Sequence, residues 1–119
     1  MNSNVLLASG DMSWVKELYP SHLRVLIGIA SIIDEENSAF LTGKRADYVA
    51  GIASVKRRQY NKILLVLLKS NAIKKVEHGR YMVNPCIFYN KSKKSKRELM
   101  DIYSNISYSA WHNKLKYKK

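Results

Sequence analysis

The chain has 119 residues, 46% of them hydrophobic, enough for one domain with a modest core and too apolar for a disordered polyelectrolyte. Its 21 Lys and Arg against nine Asp and Glu leave a net charge of +12, which implies a polyanionic partner, nucleic acid ahead of an anionic membrane. The single Cys86 excludes an internal disulfide and a cysteine-based zinc cluster.

Residues 1–11 show little pattern and read as a loosely held arm. They lack the positive start and long apolar run of a signal peptide. The longest apolar runs, 25–33 and 63–68, fall far short of a membrane span, so a cytoplasmic protein is expected. Residues 14–18 read as a short helix stopping before Pro20. Ser21 then caps a helix running to about Glu35, with Leu23, Leu26, Ile27, Ala30 and Ile33 on one stripe and Val25, Ile29 and Ile32 on another. The second stripe needs its own cover, from the N-terminal arm or C-terminal helix, or from a second copy in a homodimer. Residues 39–41 read as a short strand.

The next stretch, R-A-D-Y-V-A-G-I-A-S-V-K-R-R-Q-Y-N-K-I-L-L-V-L-L, has helix-turn-helix spacing, with helices near 44–52 and 55–70. Val49, Ala53, Val55, Tyr60 and Ile63 fall where two short crossed helices bury side chains against each other, and Ala50 suits their closest approach. Ser54 occupies the turn, a position that often takes Gly, and its hydroxyl can cap the second helix. Counting 100° per residue, Tyr60, Ile63, Leu64 and Leu67 define the buried side of that helix. Arg58 and Lys62 point nearly opposite, flanked by Asn61, while Lys56 and Arg57 belong to the projecting first turn. Arg57 and Arg58 have the fork that fits a guanine edge, and Asn61 can pair with adenine. On the first helix of the pair, Lys44, Arg45 and Tyr48 can touch phosphates, though Tyr48 equally suits a core.

Asn71 is a plausible helix stop, as Asn tolerates left-handed angles. Two β-rich runs then flank His78-Gly79, a two-residue turn, and Pro85 ends the second run. A β-hairpin directly after a helix-turn-helix is the layout of a winged helix. The wing cations Lys74, Lys75 and Arg80, with His78 at the tip, can grip the phosphate backbone without reading sequence. The run K-S-K-K-S-K-R at 91–97 reads as a linker or helix start. Leu99, Ile102 and Ile106, and then Tyr108, Trp111 and Leu115, recur at helical spacing before a basic tail. The expected fold is therefore α+β and mostly helical: a winged-helix domain with its arm over 1–90 and a basic helical extension over 91–119.

Enzyme signatures are missing. Thr42-Gly43-Lys44-Arg45 lacks the earlier Gly and the following hydroxyl residue of a phosphate loop. His22, His78 and His112 share no metal-ligand spacing, and the nine carboxylates form no evident catalytic pair, so no cofactor and no metal is expected. From Val49 through the N-A-I-K-K turn to G-R-Y-M-V-N-P, the chain resembles the RepL-type plasmid replication proteins, most specifically at Met82, Asn84 and Pro85. The resemblance implies an initiator that recognises a plasmid origin on double-stranded DNA and recruits host replication proteins, with Lys56, Arg57, Arg58, Asn61 and Lys62 in the recognition positions. A winged-helix transcriptional regulator needs the same domain. A protein-interaction module is a rival, as is an RNA-binding module that stacks bases on Tyr103, Tyr108 and Trp111.

Overall fold

Pro20 sets where the first long helix starts. Proline's fixed φ suits the first helical position and its missing N–H is one the helix leaves unpaired there, so the helix opens on Pro20 with extended Tyr19 as N-cap, rather than on a Ser21 cap. It stops at Ala30, short of Glu35. Beyond it the Asp34 carboxylate accepts from the N–H groups of Glu36 and Ser38, and Asn37 turns left-handed at φ 60°. The helix has by then already tightened at Ile32, whose N–H bonds to the carbonyl of Ile29.

The computed structural model describes residues 5–7 and 19–106. In chain order the elements are β1 (Val5–Leu7), α1 (Pro20–Ala30), β2 (Ser38–Phe40), α2 (Gly43–Ile52), α3 (Arg57–Lys69), β3 (Ile73–Glu77), β4 (Arg80–Val83), β5 (Phe88–Asn90) and α4 (Lys96–Asn105). The helix expected at 14–18 and the helical residues Tyr108, Trp111 and Leu115 lie outside the described residues. A three-stranded antiparallel sheet has the order β2-β4-β3, and β1 pairs antiparallel with β5. The β1 strand stands where an unpatterned arm was expected. Three residues carry no periodic signal, and their partner strand β5 lies far along the chain.

The sheet has helices on both faces. Ala39, Leu41, Ile73 and Val83 join the core of α1, α2 and α3, which holds Leu26, Val49, Ala53, Tyr60, Ile63 and Leu67. On the other face, Met82 packs with Leu99 and Tyr103 of α4, and Val76, Tyr89 and Ile106 complete that cluster. The result is an α+β fold, about half helical, in which a helix pair precedes a hairpin, as in a winged helix. Most of both apolar stripes of α1 is used inside the chain: Leu26, Val25 and Ile29 are fully buried, while Ile27 and part of Ile32 reach the surface. Tyr103, considered above for base stacking, is also core, and its hydroxyl bonds to the carbonyl and side chain of Asn71.

One buried polar side chain joins the distant pieces. Asn37 donates from Nδ2 to the carbonyls of Val83 (2.8 Å) and Phe88 (3.0 Å), and its Oδ1 accepts from the N–H of Asn90 (2.8 Å). The α1–β2 loop is thereby fastened to the end of β4 and to β5. Around it, three consecutive carboxylates meet cations: Asp34 pairs with Arg80, Glu35 with Lys93 and Glu36 with Lys94. The Lys94 ammonium holds the Glu36 carboxyl below its ordinary range.

Candidate nucleic-acid interface

The turn between α2 and α3 aims the second helix. Ser54 takes φ 57°, the left-handed angle that makes Gly common there, and the N–H of Val55 returns to the carbonyl of Ala50 at 3.0 Å. From α1, Arg24 Nε donates to the carbonyl of Ala53 at 2.9 Å and pins the turn from outside. Ser54 does not cap α3. That helix begins two residues beyond Val55, at Arg57, with extended Lys56 as N-cap and no side-chain cap bond.

Tyr60, Ile63, Leu64 and Leu67 of α3 are buried as their spacing demands, so the opposite side faces out. Lys56, Arg57, Arg58, Asn61 and Lys62 are all exposed. The same face continues past them to exposed Leu65 and Lys69, which the 100° count would also have placed there. Arg57 is tethered: its Nε lies 3.4 Å from Asp47 Oδ1 on α2, and its guanidinium stands 5.5 Å from the centre of the Tyr60 ring. Arg58 and Lys62 are thus better placed than Arg57 to leave the protein surface. Beneath them the Tyr60 hydroxyl is buried with no hydrogen-bond partner, and burial pushes its pKa up to about 12 against the opposing pull of Arg57.

Lys44, Arg45 and Tyr48 of α2 are exposed and line a hollow with Ile32 at the end of α1. Tyr48, at 57% exposure, is a surface residue and not core. The hairpin tip comes to the same end of α2. Gly79 takes φ 77°, and a Cβ there would lie 3.0 Å from Thr42 Cγ2, immediately before the helix. His78 is exposed at that tip.

The remaining hairpin cations are placed differently. Lys74 turns away to the far face of the sheet, where Nζ donates to the carbonyls of Tyr103 (2.9 Å) and Ile106 (3.3 Å) and stands over the Tyr103 ring. Arg80 pairs with Asp34 and lies 5.8 Å from the Phe40 ring centre. Lys75 is half-buried opposite Tyr81, whose ring packs on the helical core. A β-run predicts alternation but not which face each cation takes, and α4, which covers one face, is remote in sequence.

The helix termini differ in a way that bears on ligands. Helix α4 carries a complete capping box, Ser95 with Glu98, and so satisfies its own first turn. Helices α2 and α3 have no side-chain cap bond and no acid in the first turn. Instead Lys44 and Arg45, or Arg57 and Arg58, crowd the positive end of the helix dipole, an arrangement that costs stability until an anion arrives. Among the described residues, no three His, Cys, Asp or Glu side chains gather to hold a metal ion, and no helix is long and apolar enough to cross a membrane.

No match was found among curated proteins or among solved structures. A family profile described as Firmicute plasmid replication protein (RepL) matches residues 21–118, from the start of α1 to the basic C-terminal end. Covering most of the chain, that match shows that the protein belongs to the RepL family of plasmid replication proteins.

Proposed function

We propose that the protein is a non-catalytic initiator that binds double-stranded DNA by sequence at a plasmid origin and recruits host replication proteins there, in the cytoplasm. The observation that carries this reading is the outward face of α3, where Arg58, Asn61 and Lys62 stand opposite a helix side locked into the core. Side chains of these types can bond base edges in a major groove. Lys44, Arg45 and Tyr48, with the uncapped start of α2 and the His78 tip beside it, supply phosphate contacts that set the register. Lys56 and Arg57 serve the first turn of α3, and Lys75 adds charge on the hairpin.

Two double variants test the division of labour against a DNA fragment retained from a plasmid pool and a random duplex of equal length. Arg58→Ala with Lys62→Ala should abolish the preference for the retained fragment. Lys44→Ala with Arg45→Ala should weaken both duplexes alike and lower the salt slope by about one for each lost phosphate contact. Identical behaviour of the two variants on both duplexes would reject base reading by α3.

A further inference from the structure

We infer that Leu65 is a base-reading residue that contacts the C5-methyl group of thymine, a proposal that rests on α3 entering the major groove. Leu65 is 56% exposed, more than any other described Leu or Ile. On α3 it falls about 20° from Arg58, about 40° from Lys69 and about 60° from Lys62 around the helix axis, in one longitudinal row. Cations stand on either side of it along that row, Lys62 before and Lys69 after. A helix surface that meets a polyanion gains nothing from an apolar side chain facing phosphates. It gains from one facing the apolar feature of the major groove, the thymine methyl. Leu65 lies about 10 Å along the axis from Arg58, at about 1.5 Å per residue, so a helix following the groove would set the two about three base-pair steps apart. Lys69 would then hold the backbone beyond the leucine, while Lys62 reads a base edge beside it.

The methyl group can be removed from the DNA without touching a hydrogen bond. A randomised duplex pool is amplified once with thymidine triphosphate and once with deoxyuridine triphosphate, and each is selected with the wild type, Leu65→Ala and Leu65→Met. The wild type should enrich a motif whose preference for thymine at one or two positions drops about fourfold in the uracil pool, the partition of one buried methyl group. Leu65→Ala should enrich the same motif with no difference between pools, and Leu65→Met should retain most of the difference. A motif enriched equally from both pools by the wild type overturns the assignment, as does a thymine dependence that survives in Leu65→Ala. If no sequence is enriched from either pool, base reading by α3 fails as a whole and this assignment falls with it.

Discussion

Replacing Asn37 tests whether one buried amide holds the α1–β2 loop against the sheet. Its side chain makes three hydrogen bonds of 2.8–3.0 Å, all to backbone groups of β4 and β5 or the residues beside them, and it is fully buried. Asn37→Gly keeps the left-handed angle without strain and leaves two carbonyls and one N–H without their partner. At about 1–1.5 kcal/mol for each orphaned buried group, the loss should be about 3–4 kcal/mol. Asn37→Ala adds the steric cost of φ 60° on an L side chain, about 1 kcal/mol more. Against a total stability of about 6–18 kcal/mol for a chain of this length, the alanine variant should unfold far more readily at ambient temperature. Urea denaturation followed by far-ultraviolet circular dichroism measures both values. If both variants lie within about 1 kcal/mol of the wild type, water replaces the amide and Asn37 is no anchor.

Tyr60→Phe deletes a buried hydroxyl that has no partner, and stability near neutral pH should hold or rise by about 1 kcal/mol; a clear loss would mean the hydroxyl is bonded. The same variant carries a pH signature. The native phenol ionises near pH 12 and the unfolded one near 10, so the unfolded state sheds its proton first. Wild-type stability should therefore fall through that window by about 2–3 kcal/mol, and Tyr60→Phe should show a shallower fall. Tyr81, also raised by burial, keeps some slope in the variant. Asp47→Ala frees Arg57 and should tighten binding to any duplex a few-fold in fluorescence anisotropy, with a steeper salt dependence; unchanged binding would show the tether to be idle. Lys74→Met keeps the aliphatic stem and removes the ammonium, so α4 should lose about 1–2 kcal/mol of protection in hydrogen exchange while duplex affinity stays constant. Weakened binding with an undisturbed α4 would return Lys74 to the interface.

What could be read in advance followed from local rules. The helix pair, the left-handed Ser54, Asn71 and Gly79, and the buried side of α3 all follow from spacing and backbone preference within a few residues. Helix ends were less legible because competition decides them. Helix α1 stopped at Ala30, ahead of the turn that Asp34 organises, and α3 started at Arg57 although Ser54 offered a cap. Long-range pairing was not legible at all. Nothing near Val5 announces Asn90, and nothing near Lys74 announces the carbonyl of Ile106. The cations themselves were visible in the sequence, yet their division between free and engaged charges needed the packing of α4 and the Asp34–Glu36 loop.

The Lys74 contact also makes two distant regions answer to each other. Strand β3 packs against α3 on one side, while its Lys74 grips the last carbonyls of α4 on the other, where the chain leaves for its C-terminal segment. Undocking α4 would release an ammonium onto the hairpin, and an anion that captured that ammonium would favour the undocked helix. Linkage requires the two effects to be equal in size. A protein that engages the chain beyond Ile106 and loosens α4 would thereby change how the hairpin holds a phosphate backbone, and DNA on the hairpin would alter the affinity for that protein by the same factor.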